Sequence, residues 1–421
     1  MDDQRTQTAK SPSMRKGALA TVWFTLFLDL VAFGIIIPVL PYYAEAFGAT
    51  PKVVTLLATA FSLAQFVCAP LLGGISDRYG RRPVMLISIA GSCVAMLTLA
   101  WANTLWVVFL ARILGGMSNA NVSTAHAYVA DCVAPSERAK YMGIMGSAIG
   151  LGFVFGPVVG GLLSDPSHPG LPFLAGAGLA ALNWLMAFVL LPESRTAEDR
   201  ANATERPPRP RLLKALTGSL WGTQVGWLVV LYFGFFFVFA AMESTFALYC
   251  EAEFGWGSRE TGYLFALIGV VILVTQGVLV GRFVRWFGEK GTLLLGLVVL
   301  AVGLATMALA RPPHVVVVAL GACAIAMGNG LASPSMSSLL SQNTSADAQG
   351  WAQGLSQSAA AFARILAPIA AGVLFEVVGP GVPMGAGAVL IVVAILPLAA
   401  TKLVRPQRAS TDEAAGESQD L

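Results

Sequence analysis

Long apolar runs constrain this sequence more than any other feature. A helix that crosses the hydrocarbon layer of a membrane needs about 20 mostly apolar residues, because each residue adds ~1.5 Å to a thickness of ~30 Å. Only 12% of the residues are charged, which is too few to cover the surface of a soluble protein of 421 residues. The chain is therefore predicted to be an all-α membrane protein. Its twelve transmembrane helices are expected at about 17–41, 52–75, 83–102, 104–130, 138–163, 172–192, 223–250, 259–281, 291–310, 314–341, 348–375 and 382–403.

The basic residues lie in alternate loops. Of the 26 Lys and Arg residues, 21 fall in the two terminal segments and in the loops on one side of the membrane. The opposite loops hold three, namely Lys52, Arg259 and Arg311. Basic loops stay in the cytoplasm, so both termini are predicted to be cytoplasmic. The polar segment 1–16 has no signal-peptide cleavage pattern, and the first span is expected to be retained.

An internal repeat divides the chain. The segment Gly73–Pro83 between spans two and three recurs as Gly281–Lys290 between spans eight and nine, at an offset of 208. Gly156–Gly161 in span five recurs as Ala367–Gly372 in span eleven, at an offset of 211. Two offsets this close, from unrelated motifs, indicate one six-helix unit used twice.

The domain boundaries follow from the repeat and from a polar, proline-rich segment between spans six and seven. The predicted units are a cytoplasmic N-terminus (1–16), an N-terminal six-helix bundle (17–192), a cytoplasmic linker (193–222), a C-terminal six-helix bundle (223–404) and a cytoplasmic tail (405–421).

Together these motifs resemble the major facilitator superfamily, and within it the twelve-span drug/proton antiporters that include the tetracycline efflux proteins. The resemblance implies two pseudo-symmetric six-helix bundles that rock about a central site lined by spans one, four, seven and ten. It rests on motifs in spans one, two, four and five and in the loop after span two. They are Asp29 with Pro38–Pro41, Gln65 with Ala69–Pro70, Gly73–Pro83, Arg112 with Gly115 and Gly116, and Gly150–Gly161.

The sequence departs from the tetracycline group at three places. That group is expected to carry acidic residues in spans three and nine, where this chain reads Gly91–Ala95 and Leu297–Leu300. The matching part of span eight, Val270–Leu273, lacks the expected histidine. These differences argue against tetracycline as the substrate, while the antiporter scaffold is retained.

Ionisable residues inside spans are functional candidates, because a charge in the hydrocarbon layer costs several kcal/mol unless it meets water or a partner. Asp29 and Arg112 lie at similar depths and are predicted to form a salt bridge or a water-linked pair that couples protons to substrate. The alternative is a permanent structural ion pair. Glu243 in span seven is predicted to bind a proton or a cationic substrate. Its alternative is a pair with Arg364 in span eleven.

Polar residues in spans four and ten predict a hydrated cavity. Asn119 and His126 follow Arg112 at spacings of seven, which would place all three on one helical face. Asn329 and Ser333 repeat the pattern in span ten, and Gln65 is implied by the resemblance to span two of the family. The alternative for these stripes is hydrogen bonding between helices.

Two further groups of residues are implied by the resemblance. Asp77, Arg78 and Arg81, with Asp131 at the end of span four, would form an inner gate in which Asp77 caps the start of span eleven. The alternative is that these arginines only fix the topology. The antiporter motif of span five supplies small residues for close helix approach, and it comprises Gly152, Gly156, Pro157, Gly160 and Gly161.

The function predicted from these observations is proton-coupled export of amphipathic organic compounds by alternating access. It would operate as a monomer in the inner membrane of a bacterium. The expected partners are the substrate, protons and lipid, without nucleic acid, metal or cofactor, since the five cysteines are scattered and no nucleotide-binding motif is present. One alternative is the same fold carrying a metabolite, sugar or lysophospholipid. The other is a membrane receptor or enzyme.

Overall fold

The computed structural model describes residues 12–119, 121–134, 137–165, 167–194, 224–344 and 349–400. Within these ranges every regular element is a helix. The predicted linker and C-terminal tail lie almost wholly outside them. The helices are α1 Pro12–Glu45, α2 Pro51–Tyr79, α3 Arg81–Ala100, α4 Leu105–Ser118, α5 Asn121–Cys132, α6 Arg138–Leu163, α7 Leu171–Leu190, α8 Gln224–Phe254, α9 Ser258–Val274, α10 Val280–Leu309, α11 Val315–Gln342, α12 Gln349–Val377 and α13 Val382–Ala400, with a π-helical turn at Thr275–Leu279 between α9 and α10.

Eleven helical stretches in the described part of the chain are long and apolar enough to cross a membrane. One of them, Ser258–Leu309, has 52 residues and contains both the eighth and the ninth predicted spans. A straight helix of that length would measure ~78 Å, more than twice the hydrocarbon thickness. Gly288 interrupts it with φ 70° and ψ 174°. The predicted twelve-span architecture is confirmed, with spans eight and nine joined through Gly288.

Span four differs from its prediction as one helix over 104–130. It consists of α4 and α5, and Asn119 between them has the non-helical angles φ −83° and ψ 67°. The N–H of Asn119 donates to the carbonyl of Gly116, a tighter turn than that of an α-helix. Glycine and asparagine have low helix propensities, so Gly115, Gly116 and Asn119 favour an interruption in this part of the span.

The two halves repeat the same packing. In the first half α1 packs on α6 and α7, and α3 packs on α7; in the second half α8 packs on α12 and α13, and α10 packs on α13. Gly80 and Gly288, which the sequence repeat aligns, are both in the left-handed region, with φ 108° and 70°. These matching contacts confirm two pseudo-symmetric bundles.

The halves meet along two seams, α6 against α9 and α2 against α12. We call the end where α2 passes into α3 the basic end, because the basic loops lie there, and the opposite end the far end. At the far end a Cβ added to Gly161 would lie 3.2 Å from the Cα of Gly262. A Cβ on Gly372 would similarly meet the side chain of Thr55. Helix backbones from the two halves are therefore in close contact there.

Hydrogen bonds also join the halves at the far end. The Ser258 hydroxyl donates to Oγ of Ser164 at 2.6 Å. The Tyr42 hydroxyl lies 2.7 Å from Oγ1 of Thr261. At the α2–α12 seam, Oγ1 of Thr50 donates to the Glu376 carboxylate at 2.9 Å.

At the basic end, several glycines make no such close contact with another helix. Seven glycines in the basic-end parts of α2, α6 and α12, in the π-helical turn and at the start of α10 would place an added Cβ more than 4 Å from the other described atoms that could obstruct it. They are Gly73, Gly74, Gly143, Gly146, Gly277, Gly281 and Gly354. The close contacts that glycines make between the halves at the far end are therefore not repeated at these seven positions.

Candidate transport site

A small cavity in the first half lies between α1, α2, α3 and α4 and is lined by two ionisable side chains. Asp29 and Arg112 both line it, and Arg112 is only 6% exposed. Its volume of about 40 Å³ holds roughly two or three water molecules. The remaining lining is mostly apolar, and it includes Phe33, Phe61, Ser92, Met96 and Asn119.

Asp29 is bound by an amide. Its Oδ1 accepts a hydrogen bond from Nδ2 of Asn121 at 3.0 Å. Asn121 is fully buried and is the first residue of α5. The interruption of span four therefore places the partner of Asp29, which sequence reasoning missed because it treated this segment as continuous helix.

Arg112 makes its contacts elsewhere. Its guanidinium lies over the ring of Phe61, 4.3 Å from the ring centroid, and its buried Nε forms no hydrogen bond to the described protein atoms. Within the described part of the chain, no ion pair of 4.0 Å or less joins it to Asp29. The described structure therefore lacks the direct salt bridge, one of the two predicted arrangements, and the water-linked pair stays a prediction.

Glu243, on α8, is half-buried, and none of the ion pairs of 4.0 Å or less among the described residues involves it. Arg364 of α12 and Arg112 of α4 both act on its carboxylate electrostatically. The Arg364 guanidinium lies over the ring of Phe236 on α8, 5.6 Å from its centroid. Glu243 therefore has one cationic neighbour in its own half and another across the gap between the halves.

The predicted polar stripes are only partly brought together. Asn119 lines the cavity with Arg112, whereas His126 is half-buried on α5 and is not among the cavity residues. Span four is interrupted at Asn119, so the seven-residue spacing does not run along one continuous helix, and a shared face of Arg112, Asn119 and His126 stays a prediction. Gln65 is also half-buried outside this cavity.

The stripe of α11 lies on its less buried side. Asn329 and Ser333 are half-buried, whereas their neighbours Gly328, Leu331 and Ala332 are buried. Gly330 on the same helix packs against the side chain of Thr275 in the π-helical turn. Such turns recur at functional sites, and no feature of the sequence pattern predicted this one.

Arg81 organises the basic end of the first half. It is nearly buried, and its guanidinium contacts the Asp77 carboxylate at 2.8 Å and that of Asp131 at 3.0 Å. It also donates to Oγ of Ser76 at 3.0 Å. Arg78 is exposed. The capping of span eleven by Asp77 stays a prediction.

Glu193 completes this network and was not singled out from the sequence. Its carboxylate accepts hydrogen bonds from the backbone N–H groups of Arg81 at 2.9 Å and Arg82 at 3.2 Å. These are the first residues of α3, which has glycine at its N-cap and so lacks a side-chain cap of its own. An uncapped helix start needs an acceptor from elsewhere, and this is the signal that could have identified Glu193.

The glycine motif of span five lies where helices touch. A Cβ added to Gly156 would lie 2.6 Å from the Cα of Gly34 on α1, and one on Gly160 would lie 2.6 Å from the carbonyl oxygen of Ile35. A Cβ on Gly152 would meet Leu30, and Pro157 contacts the same part of α1. Gly161 faces the other half instead. The motif therefore packs α6 against both α1 and α9.

The described residues contain no group of three or more His, Cys, Asp or Glu side chains that could hold a metal ion. The five cysteines are free thiols on separate helices. The buried polar side chains of the described residues are mostly hydroxyls, together with the guanidinium groups of Arg81 and Arg112 and the amides of Asn121 and Asn183.

A duplicated six-helix unit with ionisable side chains inside the spans of both halves is an architecture that many secondary transporters share. The family model described as Major Facilitator Superfamily matches residues 22–368. The chain therefore belongs to the major facilitator superfamily. It is a multi-pass membrane transporter and not an enzyme.

Several characterised relatives share most of the chain. The class C tetracycline resistance protein of Escherichia coli is 31% identical over 84% of this chain and 88% of its own length. The quinolone resistance protein NorA of Staphylococcus aureus (strain MRSA252) is 26% identical over 85% of this chain and 89% of its own. The crystal structure of the human organic anion transporter MFSD10 (TETRAN) matches with a TM-score of 0.68 and 26% identity, covering 92% of this chain and all of that one.

Proposed function

We propose that this protein is a proton-coupled antiporter that exports amphipathic organic compounds by alternating access. The observation that carries the proposal is the presence, in each half, of a half-buried carboxyl group within a membrane-spanning helix. Asp29 lines the cavity of the first half, and Glu243, in the second half, is acted on electrostatically by the guanidinium groups of Arg364 and Arg112. The similarity to tetracycline, quinolone and multidrug resistance proteins supports the same assignment.

The proposed orientation follows from the basic loops. With both termini in the cytoplasm of a bacterial cell and the protein in its inner membrane, the basic end faces inward. The conformation described above is then the inward-facing state, with the external side closed. We propose that the bundles 17–192 and 223–404 are the two moving units, joined by the linker 193–222, and that one chain is sufficient for transport.

The proposed cycle assigns a role to each buried group. Protons entering from outside neutralise Asp29 or Glu243, and the neutral form permits the return to the inward-facing state. Release of the protons to the cytoplasm restores charge before the substrate binds. Arg112 provides a fixed positive charge near both carboxyl groups. The substrate cavity is proposed to include Gln65, Asn119, His126, Asn329 and Ser333.

The inner gate is proposed to act at the basic end. Asp77, Arg81 and Asp131 hold the loop between α2 and α3, and Arg78 lies exposed beside them. This cluster would contact the second half when the inner side closes. A compound with a flat apolar body suits the phenylalanine-rich face of α8 better than a sugar does, which disfavours the metabolite alternative.

Everted membrane vesicles test the function directly. Uptake of four probes would be measured under an imposed proton gradient: ethidium, norfloxacin, chloramphenicol and tetracycline. We expect uptake of at least one probe that collapses when the gradient is dissipated. Asp29→Asn and Glu243→Gln should each lose this uptake, while Asp165→Asn, in an exposed loop, should retain it. Uptake that persists without a gradient, or in both carboxyl variants, would contradict proton coupling.

A further inference from the structure

Five side chains buried inside the first half have a polar atom that forms no hydrogen bond to the described protein atoms. Each of these residues is at most 2% exposed. The atoms are Oγ1 of Thr25 on α1, Oγ of Ser88 on α3, Oδ1 of Asn121 and Oγ1 of Thr124 on α5, and Oδ1 of Asn183 on α7. A single buried polar atom without a partner is costly, so five in one bundle indicate bound water.

The helices that carry these atoms pack on one another. Nδ2 of Asn183 donates to the backbone carbonyl of Thr25 at 3.1 Å, which joins α7 to α1. Nδ2 of Asn121 donates to Oδ1 of Asp29 at 3.0 Å, which joins α5 to α1. Helix α3 packs on both α5 and α7. Apolar neighbours of the polar residues along the same helices belong to one buried cluster, and they include Leu26, Met85, Ile89, Ala125 and Ala187.

The polar groups follow one face of α5 and one face of α3. On α5, Thr124 and Asp131 lie three and ten residues after Asn121, and both spacings fall on one helical face. On α3, Ser88 lies seven residues after Arg81, close to two turns. The two faces meet at the basic end, where Nε of Arg81 contacts the Asp131 carboxylate at 3.0 Å. Both series therefore run along the interior of the first half towards that pair.

The cavity of the first half lies at the inner end of these series. Ser92, one turn from Ser88, lines the cavity together with Asp29. Thr25 lies one turn from Asp29 on α1, on the side of the basic end. Water in the cavity is therefore placed to contact both the Asp29 carboxyl group and the first members of the polar series.

The other end of the series reaches the aqueous phase. The side chain of Asp131 is 24% exposed, and it accepts from Arg81. Helix α5 rises ~15 Å between Asn121 and Asp131. About five hydrogen bonds of ~2.8 Å between oxygen atoms span that length, so a few waters together with the threonine and serine hydroxyls are sufficient.

We propose that waters bound at these five polar atoms form a proton pathway through the interior of the first half, from Asp29 to Asp131. This inference rests on the proposed function. Asp29 gives its proton to the nearest water, each water passes one proton to the next oxygen, and Asp131 releases one proton at the basic end. The pathway is separate from the gap between the halves, so a bound substrate does not block the release of protons.

Radiolytic footprinting in isotope-labelled water tests the binding of water in the full-length protein, without any substrate. X-ray radiolysis of bound water produces hydroxyl radicals, which oxidise the side chains beside it. Met85 lies in the cluster next to the five atoms, and Met384 on α13 is its control, because both are 0% exposed. We expect Met85 to take up the labelled oxygen several times faster than Met384. Equal rates would overturn the proposal.

Everted vesicles test whether these groups carry protons. Thr25→Val and Thr124→Val keep the shape of the side chain and remove the hydroxyl. We expect each to slow proton-driven uptake of the probe by ~100-fold, the usual contribution of one positioned proton-transfer group. Exchange of labelled for unlabelled probe without a gradient should continue at the wild-type rate. Thr292→Val on α10 is the matched control and should keep full uptake, because this buried hydroxyl already donates to the carbonyl of Gly288 at 2.8 Å.

Full proton-driven uptake in both threonine variants would overturn the proposal, and so would an equal loss of uptake and exchange in folded protein. If neither threonine variant folds, Ser88→Ala is tested in the same way, because it removes a single hydroxyl from α3. The proposed function fails separately, when the wild-type protein exchanges none of the four probes for protons.

Discussion

At the scale of single residues, the molecule stabilises buried charge in three ways. Asp29 receives an amide N–H from Asn121. Arg112 lies on an aromatic ring beside a cavity with room for water. Arg81 binds two carboxylates. The sequence identifies the charged residues, because charge is rare within apolar spans, but their partners depend on helix packing that no spacing within a single span reveals.

Glu193 allows a prediction at this scale. Its carboxylate accepts two N–H groups at the positive end of α3, and this arrangement is favourable for both hydrogen bonding and the helix dipole. Glu193→Ala should reduce stability by about 1–3 kcal/mol, since hydrogen bonds to a charged group are lost. The measurement is the midpoint of thermal unfolding in detergent micelles, followed by tryptophan fluorescence.

Glu193→Gln is the matched variant for this prediction. It keeps an acceptor oxygen for the same N–H groups but removes the charge. We expect its unfolding midpoint to lie between those of the wild type and Glu193→Ala. Equal midpoints for all three proteins would show that α3 begins equally well without this contact.

At the scale of helices, packing depends on backbone contacts that leave no room for a side chain. Gly156 is the clearest case, since an added Cβ would lie 2.6 Å from the Cα of Gly34 and 2.7 Å from the carbonyl oxygen of Val31. Both atoms belong to the backbone and cannot rotate away. Gly156→Ala is therefore expected to separate α1 from α6 and to cost about 1–3 kcal/mol.

Gly178→Ala is the control for this substitution. Gly178 is exposed on α7, and an added Cβ there meets nothing within 4 Å in the described structure. Alanine is a better helix former than glycine by up to about 1 kcal/mol, so this variant should be as stable as the wild type or slightly more so. Unfolding midpoints in the same detergent compare the two. A Gly156→Ala protein as stable as Gly178→Ala would mean that the α1–α6 seam tolerates a methyl group.

The fold was largely predictable at this scale, and the exceptions have physical causes. Length and hydropathy set the twelve spans, and glycine repeats set the division into halves. The interruption of span four was missed because Gly115, Gly116 and Asn119 look like small or polar residues facing a cavity within a continuous helix. The π-helical turn at Thr275–Leu279 has no distinctive sequence pattern, and it packs against α11. The hydrogen bond from Asn121 to Asp29 could not be predicted for the same reason, because Asn121 begins the helix that follows the interruption.

At the scale of the whole molecule, the two ends of the seams differ. The far end is closed by backbone contact and by hydrogen bonds between halves, whereas the glycines of the basic end face open space. Two halves joined in this way can rock against each other, so that one end opens as the other closes. The contacts that must break at the far end are hydrogen bonds between hydroxyl groups and close approaches of glycine backbones. Transport then requires the far end to separate in every cycle.

A cross-link across the far end tests this requirement. The hydroxyl oxygens of Ser164 and Ser258 lie 2.6 Å apart, and side chains this close bring two cysteines within reach of a disulfide of about 2.05 Å. We expect Ser164→Cys combined with Ser258→Cys to form a bond on oxidation and to stop uptake of the probe into everted vesicles. Dithiothreitol should restore uptake, because the arrest comes from the bond and not from the substitutions.

The single variants, which retain the five native cysteines, should keep full uptake under oxidation. A cross-linked double variant that still transports would contradict separation of the far end, and with it the rocking mechanism.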